Sequence, residues 1–285
     1  MNKVIQIESG EFGPKAVLTS AWSPEILSYL LDNGIVELEL NTGKGWQGND
    51  VSFLAELPQL LSLIIIDFII SSVEPIHFLH NLRKLKIFTY CKTEIKFAAF
   101  PQLEDCALEW RPKSTSLFDC LTLKKLFVNR YNGKDTSAFA KLINLESLAI
   151  LNAPVRNLHG LETLKKLRFL RLANLRQLAS LDGIEHLTNL EELNLDTCRA
   201  IASVNEVAAL TSLQKLYLNN GGNIDSLKPL ENMEQLVSVL FSESTNIVDG
   251  DLTPLLGLKN LNKISFQNRR HYSHRREEFG NAYFG

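Results

Sequence analysis

The sequence predicts an α/β solenoid, a stack of short strands that each lead into a short return segment. The apolar pattern L-x-x-L-x-L, with other apolar residues in some places, recurs eleven times in 285 residues. Successive copies begin 20 to 25 residues apart. A fixed period of this length indicates a repeat architecture, because one copy cannot bury its own apolar face. The copies begin at Ile35, Leu60, Leu82, Leu103, Leu123, Leu145, Leu167, Leu190, Leu213, Leu236 and Leu261.

Each copy of the pattern predicts one strand. Leu193 and Leu195 are two residues apart, so their side chains point to the same face of a strand. Placing Leu216 and Leu218 of the next copy beside them makes a parallel sheet with a continuous core. The second half of each copy provides the other wall, and a period near 22 leaves room for only a short helix, a 3₁₀ turn or an extended segment. Its apolar pairs include Leu158 and Leu161, Leu181 and Ile184, Val204 and Val207, and Leu227 and Leu230.

The pattern from Gly34 to Asn268 resembles leucine-rich-repeat proteins. Its irregular short steps are most similar to the internalins and to the nuclear phosphatase-regulator repeats. The resemblance implies a curved, right-handed horseshoe with a parallel β-sheet on the concave face and short helical, 3₁₀ or extended convex segments. Members of the family often carry Asn or Cys at the ninth position. Here Cys198 fits, whereas asparagines stand one residue earlier, which predicts altered turns; they are Asn152, Asn174, Asn220 and Asn268.

Segments at both ends depart from the repeat and predict caps around a solenoid of residues 34–268. Residues 1–33 contain Val4, Ile5 and Ile7, which predict a strand. They also predict a helix that starts after Ser23, with Pro24 in its first turn and Gly34 just past its end. Residues 269–285 form a C-terminal cap or a recruiting tail. In this segment four aromatic residues alternate with charged ones; they are Tyr272, Phe279, Tyr283 and Phe284.

Composition and charge favour a folded, soluble, cytoplasmic protein. The formal net charge of −2 gives no general attraction to nucleic acid or acidic lipid. The most apolar run, 60–70, contains Asp67 and is too short to span a membrane, so it predicts a fully buried strand that runs into its turn. The four cysteines show no paired spacing, which favours reduced thiols, and Cys106 replaces an inward leucine.

Motifs for catalysis or for metal binding are absent from the sequence. It contains no G-x-S-x-G, no H-E-x-x-H and no C-x-x-C. The Gly-rich segment 42–48 lacks the order of a phosphate-binding loop, and His271 with His274 makes only a weak metal pair. We therefore expect no enzymatic activity, no cofactor and no metal. An enzyme with its site in the caps is the alternative.

The outward side chains of the predicted sheet are the candidate binding surface. They mix aromatic residues and Arg with polar groups, a composition typical of protein interfaces. We expect a scaffold for protein–protein recognition, such as a bacterial adaptor, inhibitor or immunity protein, that binds a protein partner of unknown identity through the concave face. Nucleic-acid or anionic-surface binding through the Arg-rich tail is the alternative. The predicted partner-binding residues are Lys86, Phe88, Trp110, Phe127, Asn129, Phe169, Arg171, Glu192, Asn194, Asp196, Lys215, Tyr217 and Asn219.

Overall fold

The computed structural model describes residues 4–111 and 113–282, with side chains described up to residue 280. The chain divides into two compact units, an N-terminal unit of residues 1–128 and a C-terminal unit of residues 129–285. Each unit contains a run of short strands that are separated by 3₁₀ turns.

The N-terminal unit begins with a hairpin of two antiparallel strands, followed by a helix and the first repeat strands. The strands from β2 to β6 pair in parallel, each with the next. The elements are β1 (Ile5–Ser9), β2 (Pro14–Leu18), α1 (Pro24–Asp32), β3 (Glu37–Asn41), β4 (Ser62–Ile66), β5 (Lys84–Phe88), β6 (Asp105–Glu109) and β7 (Lys125–Asn129).

The predicted N-terminal helix is confirmed. Ser23 is extended at the N-cap, and Gly34 has φ +60° just past the end, where its N–H donates to the Leu31 carbonyl over 3.1 Å. A residue without a Cβ adopts this left-handed conformation at little cost. The sequence predicts one strand before the helix, whereas the structure has two, β1 and β2. Strand β2 starts at Pro14 and pairs with both β1 and β3, so the hairpin extends the sheet beyond the first repeat.

The C-terminal unit holds the better-conforming repeats. Its main strands pair in parallel in the order β8-β9-β10-β11-β13-β15, and β12 pairs with β14 in a separate ladder. The elements are β8 (Ser147–Leu151), β9 (Phe169–Ala173), β10 (Glu192–Asp196), β11 (Lys215–Asn219), β12 (Asn223–Ile224), β13 (Ser238–Phe241), β14 (Asn246–Ile247), α2 (Thr253–Leu256) and β15 (Lys263–Phe266).

The return segments are mostly single 3₁₀ turns, as the short period predicts. The predicted core residues are buried, both Leu193 and Leu195 of β10 and Val204 and Val207 of the return segment that follows. Complete burial of such a side chain contributes about 1.5–3 kcal/mol. The 3₁₀ segments are Thr42–Lys44, Ser52–Glu56, Glu74–Phe78, Phe97–Ala99, Thr115–Asp119, Ser137–Lys141, Leu161–Thr163, Ile184–His186, Asn205–Ala209, Lys228–Leu230 and Arg276–Ala282.

The turn after each strand explains the displaced asparagines of the C-terminal unit. Asn152, Asn174 and Asn220 have φ between +52° and +56°. Their backbone N–H groups donate to a carbonyl at the end of the next strand, as in the 2.9 Å bond from Asn174 to Asp196. Asn tolerates the left-handed conformation better than most residues. The following position points inward, where the Cys198 thiol donates to the Leu172 carbonyl over 3.4 Å.

The turns of two repeats in the N-terminal unit are shifted by one residue. Asp67 is buried, and its Oδ1 accepts the N–H groups of Ile69 and Ile70 at 2.7 and 3.1 Å. This local bonding bends the chain, so that Phe68 and Ile69 are 50% and 67% exposed. The prediction that the whole run 60–70 is buried was therefore wrong at Phe68 and Ile69, whereas Asp67 and Ile70 are buried. In the next repeat Thr89 likewise points inward and leaves Tyr90 exposed.

The start of the C-terminal tail packs on the last strand. Tyr272 is buried, and its phenolic oxygen accepts the N–H of Ile247 at 3.1 Å. The ring of Phe279 lies edge-on to Phe266 at a centroid distance of 5.8 Å. These contacts are the ones that a cap makes. Tyr283 and Phe284 lie outside the described residues.

Candidate functional site

The strand face of each unit consists of the outward side chains of its parallel strands. In the N-terminal unit Glu39, Ile64, Lys86 and Ala107 stand side by side on neighbouring strands. This arrangement confirms the predicted register, including that of the poorly conforming repeats that begin at Leu82 and Leu103. The matching row of the C-terminal unit is also as predicted, and it consists of Ala149, Arg171, Asn194, Tyr217, Leu240 and Ser265.

The N-terminal hairpin covers the start of the strand face of its unit. The backbone N–H of Phe12 donates to Glu37 Oε1 at 2.5 Å, and Lys15 Nζ lies 2.6 Å from Glu39 Oε2. Glu37 and Glu39 are therefore only 3% and 4% exposed. Glu39 points outward in the strand register, but it is closed off from solvent because the hairpin folds over these strands.

The negative charge of Glu39 under the hairpin is balanced by lysines of the same protein. Burial raises the pKa of Glu39, but hydrogen bonds from Lys15, Asn41 and Lys44 outweigh that effect and lower the pKa to about 2. Farther along the face, Lys84 Nζ lies 2.7 Å from Glu11 Oε2 of the hairpin loop. These charged groups are internal partners and give a ligand little to bind.

Apolar side chains cluster at the carboxyl ends of the strands in the N-terminal unit. We call Phe68, Ile69, Phe88, Tyr90 and Phe127 the aromatic cluster. Phe88 and Phe127 lie edge-to-face with centroids 5.8 Å apart, and Phe68 and Tyr90 lie 4.8 Å apart. Tyr90 is 62% exposed. Phe88 and Phe127 were predicted binding residues. Phe68, Ile69 and Tyr90 were missed, although the apolar run that continues past β4 was the available signal.

Two further predicted residues of the N-terminal unit differ in their surroundings. Lys86 is half-buried on the strand face, beside Ile64 of the neighbouring strand. Trp110 follows β6, and its ring lies 5.5 Å from that of Phe118 in a 3₁₀ segment. The indole therefore packs on the 3₁₀ side of its repeat, and Trp110 does not belong to the aromatic cluster.

The strand face of the C-terminal unit is polar, and most of its charges are paired. Glu192 lies 3.4 Å from Lys215, and Asp196 lies 3.9 Å from Arg171. Phe169 remains 39% exposed. Asn194 Oδ1 is shielded from solvent and accepts no hydrogen bond from any described residue. Side-chain hydrogen bonds join neighbouring repeats at the edge of this face. Asn152 donates to Asn129, and Ser242 donates to Asn219.

A cleft of about 360 Å³ lies on the 3₁₀ side of the N-terminal unit, and its ionisable lining groups are Asp119 and Cys120. No group of three or more His, Cys, Asp or Glu residues within 4–111 and 113–282 is arranged to hold a metal ion. In the same part of the chain, every helix is too short or too polar to cross a bilayer.

Comparisons with known proteins identify the fold. No protein-family model and no curated protein sequence matches the chain. Internalin InlF of Listeria monocytogenes is 21% identical, with a TM-score of 0.65 over 88% of this chain and 75% of that chain. A leucine-rich-repeat protein of Leptospira interrogans is 16% identical, with a TM-score of 0.57 over 89% and 77%. The Arabidopsis receptor kinase HAESA, in complex with the peptide hormone IDA and the co-receptor SERK1, is 17% identical, with a TM-score of 0.54 over 82% and 43%. The fold is thus that of the leucine-rich-repeat proteins, as predicted.

Proposed function

We propose that this protein is a non-enzymatic scaffold that recognises a partner protein through its strand face, with the aromatic cluster as the main contact. The observation that carries this proposal is the exposure of neighbouring apolar side chains. Phe68, Ile69 and Tyr90 are each at least half exposed and lie together where β4 and β5 end. Grouped exposed apolar side chains mark interaction sites, whereas single exposed ones are common on any protein.

The chemistry of the cluster favours a protein partner. Aromatic side chains are enriched at the energetic centres of protein interfaces, because they bury a large area with few rotatable bonds. Covering the exposed halves of Phe68, Ile69 and Tyr90 contributes about 1 kcal/mol for each side chain. Lys86 flanks the cluster on the same strand as Phe88, as a polar rim flanks the apolar centre of an interface. The complex of the similarly folded HAESA with a peptide and a co-receptor supports this type of function.

The strand face of the C-terminal unit is the proposed second contact. It exposes Phe169 and presents Arg171, Asn194 and Tyr217 in one row across neighbouring strands. The other proposed contacts are Glu192, Asp196, Lys215 and Asn219.

Two arginines in the described part of the tail make contacts within the protein. Arg269 donates to the carbonyls of Glu243 and Thr245, and Arg276 pairs with Glu277 at 3.0 Å. These arginines already have partners within the protein. We therefore propose that the described part of segment 269–285 is a cap over β15.

The test is affinity capture from native lysate with the tagged protein, followed by mass spectrometry. Wild type is compared with a Phe68→Ser/Tyr90→Ser variant and with Phe78→Ser. Phe78 is the matched control, because it is 58% exposed but lies on a 3₁₀ segment. We expect one protein to be captured in stoichiometric amount by wild type and by Phe78→Ser, and at least tenfold less by the double variant.

A parallel variant tests the second contact. Tyr217→Glu places a charge at the centre of the C-terminal strand face without touching the core. We expect weaker capture of the same protein by this variant. The melting temperature of every variant is measured to show that the fold is intact. Equal capture by folded wild type and the double variant refutes the aromatic cluster as the binding centre.

A further inference from the structure

We propose that Cys91 is a nucleophilic thiolate paired with Arg111, and that it is a modification site for peroxides and other soft electrophiles. Cys91 lies in the loop that follows β5, one residue after Tyr90 of the aromatic cluster. It is half-buried, whereas the other three cysteines are buried. This inference does not depend on the proposed binding function.

The first observation is the buried guanidinium of Arg111. Arg111 is only 4% exposed. Its Nη1 lies 3.3 Å from Cys91 Sγ and 3.2 Å from the Thr93 carbonyl, and its Nη2 donates to Thr89 Oγ1 at 2.8 Å. No carboxylate of the described residues lies within ion-pair distance of this guanidinium. A buried cation without a counter-charge is costly, and Cys91 is the ionisable group in contact with it.

The second observation is the hydrogen bonding of the sulfur. Thr89 Oγ1 lies 3.1 Å from Cys91 Sγ. Because this oxygen accepts from Arg111, its own hydrogen is free to point at the sulfur and to donate to a thiolate. The sulfur thus faces one positive charge and one hydroxyl donor. A cationic neighbour of this kind activates cysteines in proteins.

The pKa of the Cys91 thiol differs from that of the other three cysteines in the direction that the contacts with Arg111 and Thr89 imply. Burial of the Cys91 sulfur opposes ionisation, but the Thr89 hydrogen bond and the Arg111 charge outweigh it and lower the pKa of the thiol. Burial raises the pKa of Cys106 and Cys120, and it raises that of Cys198 to about 11. The three other thiols are therefore internal controls.

With a hydroperoxide the reaction is balanced. The Cys91 thiolate attacks one peroxide oxygen, so that an S–O bond forms and the O–O bond breaks. The sulfur is oxidised by two electrons to a sulfenic acid. The peroxide is reduced, and its other oxygen leaves as hydroxide or alkoxide and takes a proton from water.

The deciding experiment is the pH dependence of alkylation in the folded wild-type protein. Iodoacetamide is applied between pH 5 and 9.5, and labelling of each cysteine is quantified by peptide mass spectrometry. We expect Cys91 to react first, with the midpoint of its rate profile below the value of about 8.5 for an ordinary cysteine. A midpoint at or above that value, or labelling of Cys91 no faster than that of Cys198, overturns the proposal.

Substitutions then identify the cause. Arg111→Met removes the charge and is expected to raise the midpoint, and Arg111→Lys is expected to restore part of the shift. If Arg111→Met fails to fold, Thr89→Val removes the hydroxyl donor and is expected to raise the midpoint by a smaller amount. Hydrogen peroxide followed by dimedone is expected to label Cys91 in wild type and not in Cys91→Ser. An unchanged midpoint in folded Arg111→Met refutes the pairing.

Discussion

Replacing Glu39 by Gln tests whether internal charge pairing holds the N-terminal hairpin over the strand face. Glu39 Oε2 lies 2.6 Å from Lys15 Nζ and 3.0 Å from Lys44 Nζ, and Oε1 accepts from Asn41 Nδ2 at 3.0 Å. The substitution keeps the size of the side chain but removes its charge. It leaves the Lys15 ammonium, which is 14% exposed, with Glu8 as its remaining carboxylate partner.

The magnitude follows from the pKa of the Glu39 carboxyl, which falls from 4.5 to about 2 on folding. At 1.36 kcal/mol per pKa unit, this shift corresponds to about 3 kcal/mol. The folded-state pKa is the lower one, so this stability is present above pH 4.5 and is lost as the pH falls towards 2. We expect the variant to unfold with a free energy about 3 kcal/mol lower than wild type at pH 7. At pH 3.5 the difference shrinks by about 1.4 kcal/mol, because the carboxyl is then about nine-tenths protonated in the unfolded state but still ionised in the folded one.

The assay is urea unfolding followed by tryptophan fluorescence at both pH values. Glu8→Gln is the matched control, because Glu8 lies 3.2 Å from the same Lys15 ammonium but is 32% exposed. Pairs that water can reach contribute at most about 1 kcal/mol. A difference between wild type and Glu39→Gln that is the same at both pH values refutes the reasoning. Equal losses for Glu8→Gln and Glu39→Gln refute it as well.

Substitutions at three further positions test the turns, the C-terminal cap and the core by the same unfolding measurement. Asn174→Val is expected to cost about 1–2 kcal/mol, because a β-branched residue is strained at φ +56°, whereas Asn174→Gly is expected to stay within about 0.5 kcal/mol; equal losses contradict the strain argument. Tyr272→Phe is expected to cost about 1–3 kcal/mol, because it leaves the buried N–H of Ile247 without its acceptor, and a neutral result contradicts the cap contact. Leu195→Ala is expected to cost about 2–5 kcal/mol through a core cavity, and a loss below 1 kcal/mol contradicts its inward placement.

The predictable part of the strand face depended on local spacing. Lys86 and Arg171 lie in the predicted row because side chains alternate along every strand and equivalent positions of parallel repeats align. Two of the five residues of the aromatic cluster were predicted from the sequence. The outward direction of Phe88 and Phe127 follows from the alternation of side chains along a strand. Tyr90 lies beyond the end of β5, where alternation no longer applies. Whether its side chain points outward depends on whether the turn after the strand is left-handed or shifted by one residue. That choice depends on which inward side chain finds a hydrogen-bond partner, as Thr89 does with Arg111.

The sequence by itself determined the repeat, the strand register and the direction of each strand residue, because these depend on periodicities that a few neighbouring residues express. Only the tertiary structure decided which outward residues remain open. The hairpin buries Glu39 under Lys15, although the two residues are 24 positions apart, and Arg111 reaches back 20 positions to Cys91. Such pairings depend on where distant side chains meet in space. The repeat period therefore does not predict them. They decide that the aromatic cluster stays exposed, whereas charged groups such as Glu39 are paired within the protein.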